Sequence, residues 1–471
     1  MHEAKVPADM RHPERGGASE HSWGHIEAVT TDVAATVCAV FDQLEKEGVT
    51  YCVVGDADLL PERFGGDIDI VVQNSDIARI GELLGSIVRR VRGRVVSCLE
   101  HARNSYCYVI VLEDRMQQCS YLTLDFCGDF ACGGGVVLTA NELLAGRRKS
   151  RGADGQDKCF MIAAPHMEFM YYLLKKIDKG VLTEMQAQHL GTVFGLAPHL
   201  SGNQLKRFFQ ASTRKRLVEA AATGRWSWVR ANLPSLRREF RRSTWRSRAV
   251  GWVPECRRVI SRVLHPTGFV IVLLGPDGSG KSSVSALLVP RLMPMFRQKL
   301  EFHLSPSSPK RARTGVVVTE PHRVRARGRL ASALKLAAWS VIYAWYGLKR
   351  VYTAKVRSAL IVYDRYYHDI LVDPARYRYG GPMWLAQIVG SIIPKPDMWV
   401  VLDASPDVLH ERKREVSWEE TVRQCTAYRD LARQLPNAVM VDASQSLEEV
   451  VSDVVRATVA RLADRMNKRM R

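Results

Sequence analysis

Between Gly275 and Ser283 the chain reads Gly-Pro-Asp-Gly-Ser-Gly-Lys-Ser-Ser, and a Gly-x4-Gly-Lys-Ser spacing suits one task, the cradling of phosphates. Its residues Gly275, Asp277, Gly278, Ser279, Gly280, Lys281, Ser282 and Ser283 are the expected nucleotide-binding set. The glycines let successive backbone N–H groups turn toward phosphate oxygens, and a helix starting at the lysine adds partial positive charge. Lys281 is expected to reach the β- and γ-phosphates of ATP, and the Ser282 hydroxyl to ligate Mg2+. The apolar run Phe269–Leu274 before the loop and the helical spacing of Val284, Leu287 and Leu288 after it give the strand–loop–helix context that the motif requires.

A phosphate loop by itself does not separate kinases from motor or switch NTPases. Further along, the apolar run Leu360–Tyr363 ends in Asp364-Arg365-Tyr366, which puts a carboxylate and a guanidinium at the C-terminal edge of a strand, where ligands bind in open α/β sheets. Trp399–Leu402 ends in Asp403, and Arg412-Lys413-Arg414 follows on a helix or lid. Phosphoryl transfer needs charge neutralisation and exclusion of water, which cations near the loop supply. Lys281, Asp364, Arg365, Arg412 and Arg414 are therefore the candidate catalytic residues, and Ser282 with Asp364 the candidate Mg2+ ligands; a solvated basic face is the alternative for the cationic cluster.

A second constellation lies near the N-terminus. Asp67 and Asp69 are two apart at the start of an apolar strand, so they share a face and are close enough to share a divalent ion. Asp125 ends the alternating run Tyr121–Asp125 and is the candidate third ligand. The alternative is that these acids simply cap strand ends.

The elements that must hold these residues divide the chain into four. Residues 1–28 are polar, lack an apolar leader core and are expected to form a disordered tail. Residues 29–145 read as a small α/β unit: helix Thr31–Lys46, strand Tyr51–Val54, strand Asp67–Val72, helix Ser75–Val91, then strands Arg94–Cys98, Tyr106–Leu112 and Tyr121–Phe126. Residues 146–266 are helical and basic, with helices predicted over Met167–Ile177, Leu205–Ala222 and Trp226–Phe240. Residues 267–471 alternate short, wholly apolar strands (Phe269–Leu274, Leu360–Tyr363, Met398–Leu402, Ala438–Val441) with helices, the pattern of a parallel sheet covered on both faces.

Charge is unevenly spread. From Ser201 to Pro266 there are sixteen Lys or Arg and three acids, a net +13 of the chain's +19, so the demand for an anionic partner belongs mainly to this segment. Trp226, Trp228, Phe240, Trp245 and Trp252 interleave with its arginines, an arrangement that fits nucleic acid, an anionic membrane surface or packing between domains. Leu330–Leu348 is apolar but interrupted by Lys335, which indicates a buried or interfacial helix instead of a span. The ten cysteines form no CxxC pair and are expected as reduced thiols of a cytoplasmic protein, peripheral at a membrane if the basic segment binds one.

The order Gly-x-Asp-Gly-x-Gly-Lys-Ser, Asp364-Arg365-Tyr366, Pro394 to Asp397 with LDASP, RKRE and Gln424-x3-Tyr428 resembles the thymidylate kinase family over about 267–461. The resemblance implies an ATP- and Mg2+-dependent kinase in which Asp277 contacts the acceptor, Asp364 organises Mg2+ and the attacking phosphate, Arg365 holds the acceptor phosphate, and Arg412 and Arg414 are lid arginines. The second-strand region, Glu301-Phe302-His303-Leu304-Ser305-Pro306, departs from the family's Arg-Glu-Pro acceptor segment, so phosphoryl transfer carries over and thymidylate as acceptor does not. These features are similar to a branch found fused to other domains and often encoded near bacterial polysaccharide genes. Asp67, Asp69 and Asp125 resemble the carboxylate set of the nucleotidyltransferase superfamily, although Asp56 beside Gly55 is a poor neighbour for a triphosphate.

The sequence thus points to a P-loop kinase acting on a phosphorylated small molecule, such as a nucleoside monophosphate or sugar phosphate. Two other readings stay open: a nucleic-acid-binding enzyme using the basic segment, and an ATP-sensing regulator with a degenerate nucleotidyltransferase-like domain. A homodimer is compatible with each.

Overall fold

The computed structural model describes residues 31–55, 57, 60–62, 66–113, 119–152, 155–307, 326–413 and 416–470. The N-terminal strands are β1 (Tyr51–Val54), β2 (Ile68–Val72), β3 (Gly93–Ala102), β4 (Ser105–Glu113), β5 (Cys119–Cys127), β6 (Phe130–Cys132), β7 (Gly135–Leu138), β8 (Arg148–Arg151) and β9 (Asp157–Ile162). Seven of them form one sheet in the order β3-β4-β5-β2-β1-β9-β8, while β6 and β7 pair separately. β8 and β9 lie beyond residue 145 and still complete this sheet; their runs, RKSR and DKCFMI, are too polar to announce themselves as core strands. Helices Thr31–Lys46 and Ile77–Arg90 cover one face, burying Val37, Phe41, Leu44, Ile80 and Leu84 with Ile70, Leu122 and Leu124 of the strands.

The helical region shares a core with that sheet. Leu173, Leu190, Leu217, Trp226, Leu236 and Phe240 pack in one cluster with Cys52, Val54 and Val71. Helix Leu205–Ala222 of the sequence reading is here a short 3-10 turn, Leu205–Arg207, followed by helix Ala211–Thr223. Trp226–Phe240 divides into Ser227–Ala231 and Leu233–Ser243, because Pro234 fits only the first turn of a new helix. Trp226 and Phe240 are buried, which removes them from any stacking surface, whereas Trp245 and Trp252 are 60% and 69% exposed.

The C-terminal sheet holds β10 (Phe269–Leu274), β11 (Gln298–Phe302), β12 (Ala359–Asp364), β13 (Met398–Asp403) and β14 (Ala438–Asp442) in the order β11-β12-β10-β13-β14. Every pairing is parallel. Val284, Leu288, Val450 and Val454 cover one face from helices Lys281–Leu292 and Leu447–Met470. Leu336, Tyr343, Tyr367 and Tyr428 cover the other. The expected α/β class, with a parallel sheet between helices, is present. Edge strand β11 is the one whose mixed polarity hid it in the sequence.

The two sheets are joined by packing. Val96, Val109 and Val111 enter the core that helix Leu447–Met470 makes with the C-terminal sheet, and the Tyr121 hydroxyl donates to the Arg291 carbonyl at 2.6 Å. Helix Arg329–Tyr346 is half-buried: Leu336 and Tyr343 face the core, Leu334 and Trp345 are exposed. No helix among the described residues is long and apolar enough to cross a membrane. One expectation is corrected: Cys38 and Cys159 are joined as a disulfide, not free thiols. A separation of 121 residues leaves no local spacing from which that pair could be read.

Candidate active site

The phosphate loop leaves β10 where the sheet order reverses, with β12 on one side and β13 on the other, so it opens into a crevice at the strands' C-terminal edge. Gly275 and Gly278 have φ of 146° and 85°. A Cβ on Gly275 would come 2.7 Å from the Leu402 carbonyl oxygen, and one on Gly278 3.1 Å from that of Leu409. Glycine is therefore required there both for conformation and for space. Gly280 precedes helix Lys281–Leu292 without a side-chain cap, so the loop and the helix N-terminus present backbone amides instead of a capping oxygen.

Lys281 lies folded over this loop. Its Nζ donates to the carbonyls of Gly275 at 2.8 Å and Pro276 at 2.7 Å. Burial, then the nearby Arg365 charge, bring the ammonium down to about 8, against the opposing pull of Asp277, Asp369 and Asp364. On the next residue, the Ser282 hydroxyl donates to Asp364 Oδ2 at 2.7 Å. Asp364 ends β12 and is buried; His303, just past β11, comes within 3.8 Å of the same oxygen. Ser283 sits beside Ser282 on the helix and is exposed. A hydroxyl and a carboxylate meeting at the mouth of an amide-lined loop fit the donor set of a phosphate-bound Mg2+.

Arg365 is buried in a left-handed conformation, φ 90°, with its amide tied to the Leu273 carbonyl of β10 at 3.1 Å. Its guanidinium bridges Asp369 Oδ2, at 2.6 Å, and Asp277 of the phosphate loop. Arg376 Nη2 reaches Asp277 from the other side at 2.6 Å. Asp369 also accepts from the Tyr377 hydroxyl at 2.7 Å and from the Tyr428 hydroxyl. Burial raises the Asp369 carboxyl, but Arg365 and the two tyrosines more than offset it and leave it below its ordinary value.

Sequence reasoning named Asp277, Asp364 and Arg365 and missed Asp369, Arg376 and Tyr377. Helical spacing of Arg365 and Asp369 was the available signal, as was the Gln424-x3-Tyr428 pair. Arg412 closes helix Pro406–Arg412 beside the loop, its Cβ 3.8 Å from where a Gly278 Cβ would stand. Its guanidinium donates to the Ala443 carbonyl at 2.8 Å and so is not directed at the loop. Arg414 lies outside the described residues. Asp403 is engaged by Arg429 at 3.0 and 2.9 Å.

In the N-terminal unit Asp69 and Asp125 are register partners in β2 and β5. Lys175, from helix Pro165–Lys179, puts its Nζ 2.5 Å from Asp69 Oδ2, and His101 Nε2 is 3.3 Å from Asp125 Oδ2. Burial depresses the Lys175 ammonium, yet Asp69 and Asp125 raise it above its usual value, so it stays charged. Burial, then Arg297 and Lys175, drive His101 down to about 4 and keep it neutral. Asp125 is pushed up by burial and by Asp69. Asp67, just before β2, is exposed. Among the described residues no group of three His, Cys, Asp or Glu is arranged to hold a metal ion. An ammonium group occupies the position beside Asp69 and Asp125 that the sequence reading gave to a cation.

The thymidylate kinase family model matches residues 274–454, from the last residue of β10 into helix Leu447–Met470. The thymidylate kinases of Xanthomonas campestris pv. campestris, strains B100 and 8004, are 24% identical over 214 residues, spanning 43% of this chain and 88% of theirs. Among solved structures, thymidylate kinase from Candida albicans is 16% identical with a TM-score of 0.30, over 40% of this chain and 90% of that one. The Ehrlichia chaffeensis enzyme is also 16% identical, with a TM-score of 0.29, over 40% and 97%. Residues 274–454 thus match the thymidylate kinase family model over the segment that carries the phosphate loop, the Ser282–Asp364 pair and the Arg365–Asp369 turn.

Proposed function

We propose that the C-terminal half transfers the γ-phosphoryl group of ATP, with Mg2+, to a phosphorylated small molecule, a nucleoside monophosphate or a sugar phosphate such as those of bacterial surface polysaccharide metabolism. The observation that carries this reading is the Arg365–Asp277–Arg376 bridge above the phosphate loop. Two guanidinium groups converge on one carboxylate beside the loop, where a second phosphate-bearing molecule has to be held in line with the first.

In this scheme an acceptor phosphate oxygen attacks the γ-phosphorus, the bond to the β–γ bridging oxygen breaks, and ADP leaves. Lys281 exchanges its two loop carbonyls for β- and γ-phosphate oxygens, which restores the charge that burial weakens. Arg365 and Arg376 bind and orient the acceptor phosphate, with Asp277 setting their positions and meeting the acceptor. Ser282 and Asp364 would hold Mg2+, which supplies charge neutralisation across the phosphates. Arg412, beside Gly278, and Arg414 serve as lid cations that exclude water during transfer. Asp67, Asp69 and Asp125 form a nucleotidyltransferase-like centre whose cation is the Lys175 ammonium, so that unit serves as a binding or regulatory partner of the kinase half.

The test is an acceptor panel of nucleoside monophosphates, sugar phosphates and polyprenyl phosphates, read by conversion of ATP to ADP with the full chain and with Lys281→Ala. Turnover with one acceptor class, absent in the variant, is the expected result. Undiminished product formation by Lys281→Ala removes the assignment.

A further inference from the structure

The phosphotransferase reading leaves the basic segment of 201–266 without a role. In the fold this segment supplies one wall of a cavity of about 660 Å³ that lies between the two halves, away from the phosphate loop. Glu100 and Arg103 reach it from β3 and the turn beyond, Arg257, Arg258 and Arg262 from helix Trp252–Leu264, and Arg469 from helix Leu447–Met470. Five guanidinium groups thus face one carboxylate.

What fixes these cations in place is mostly uncharged. Arg262 Nη2 donates to the Val356 carbonyl at 2.9 Å and Arg469 Nη2 to that of Pro266 at 3.1 Å, bonds that orient a guanidinium without neutralising it. Arg262 Nε is buried with no hydrogen-bond partner. Among the described residues, Arg258 is the one of the five with an ion-pair partner, Glu255, and it also donates to the Glu100 carbonyl at 3.2 Å. Burial, then repulsion from Arg258, lower the Arg262 pKa from its ordinary value, and burial lowers that of Arg469. Even with both Glu100 and Glu255 counted, three positive charges are left over in a partly enclosed space, where like charges repel most strongly.

We propose that this cavity is a second anion site, distinct from the phosphate loop, which takes a soluble small molecule carrying two or more phosphate groups. One phosphate monoester brings a charge of about −1.5 to −2, too little to balance the surplus, whereas two or three phosphates match it. Guanidinium forks oriented in advance accept phosphate oxygens in pairs. The volume lies in the range of small-molecule sites, and Tyr106, Val253 and Met466 add apolar lining for an organic portion. The site also joins β3 of the N-terminal unit to the last helix of the kinase half, so its ligand would bind both.

The experiment is calorimetry on the full chain carrying Lys281→Ala, which weakens the phosphate loop, titrated with inorganic tripolyphosphate. It reads binding alone and is therefore independent of whether the kinase half turns over. One equivalent is expected to bind, with affinity falling at least tenfold when Arg103→Ala and Arg257→Ala are added. Those two side chains make no hydrogen bond among the described residues, so their removal spares the fold. The proposal is overturned if tripolyphosphate does not bind, if binding is unchanged by the two arginine substitutions, or if only an RNA oligonucleotide or anionic phosphatidylserine vesicles bind.

Discussion

Arg365 and Asp369 lie four residues apart, both buried, with Nη1 and Oδ2 2.6 Å from each other, and this contact holds the guanidinium whose other arm ties the end of β12 to Asp277 of the phosphate loop. The pair is worth little as an isolated attraction, because both charges were taken out of water to make it. Its consequence appears when one partner is removed.

Asp369→Ala leaves the buried Arg365 to share Asp277 with Arg376, and a loss of about 3–5 kcal/mol is expected for breaking a buried ion pair from one side. Tyr428→Phe deletes only one donor to the same carboxylate and should cost about 1.5–3 kcal/mol. Thermal unfolding of both variants checks the order, and an Asp369→Ala loss no larger than that of Tyr428→Phe would contradict this account. The folded carboxyl titrates below its ordinary 3.8, so its stabilisation is complete above about pH 4 and disappears as the pH falls through the depressed value.

Lys281 gives a pH dependence of opposite sense. Its ammonium begins to lose its proton near pH 8 in the free protein, earlier than a lysine in water. Nucleotide affinity, measured by calorimetry, should then fall above pH 8 by up to about tenfold per unit. Lys281→Arg, whose guanidinium stays charged, should be flat from about pH 7.5 to 9.5. A wild-type profile equally flat would show that the ammonium is not the phosphate partner.

Gly278→Ala tests the cradle itself. At φ 85° an alanine costs about 1–2 kcal/mol, and its methyl group would press on the Leu409 carbonyl at 3.1 Å. ATP binding should weaken at least about tenfold, the equivalent of 1.4 kcal/mol, while the N-terminal sheet keeps its hydrogen-exchange protection. Wild-type affinity in this variant would mean that the loop does not bind phosphate in the form described.

The N-terminal centre is probed by a double-mutant cycle. Lys175→Met leaves Asp69 and Asp125 facing each other without a cation and should lower the melting temperature, and Asp69→Asn in the same chain should restore part of the loss. A coupling of about 0.5–3 kcal/mol is expected for a contact at this distance. Additive effects of the two substitutions would remove Lys175 as the internal cation.

Much of this protein could be read from local pattern. β1 and β10, with helix Thr31–Lys46, stand where periodicity put them, because a short apolar run or a 3.6-residue stripe needs only its own residues to declare itself. The phosphate loop was equally legible, since eight consecutive residues carry both the glycine conformations and the chemical groups. Edge and polar strands such as β8, β9 and β11 were hidden, their identity coming from a neighbour's hydrogen bonds and not from their own hydrophobicity.

What the amino-acid order alone determined, then, is a phosphate-binding strand–loop–helix followed by a parallel sheet, and a basic segment in need of a partner. Tertiary structure decided the rest. It brought Lys175 to Asp69 across 106 residues, Arg365 to Asp277 across 88, and arginines of three separate segments around one cavity. A backbone turn is set by the steric limits of adjacent residues, whereas the pairing of distant charges depends on which packing of the cores repays the entropy of closing those long loops.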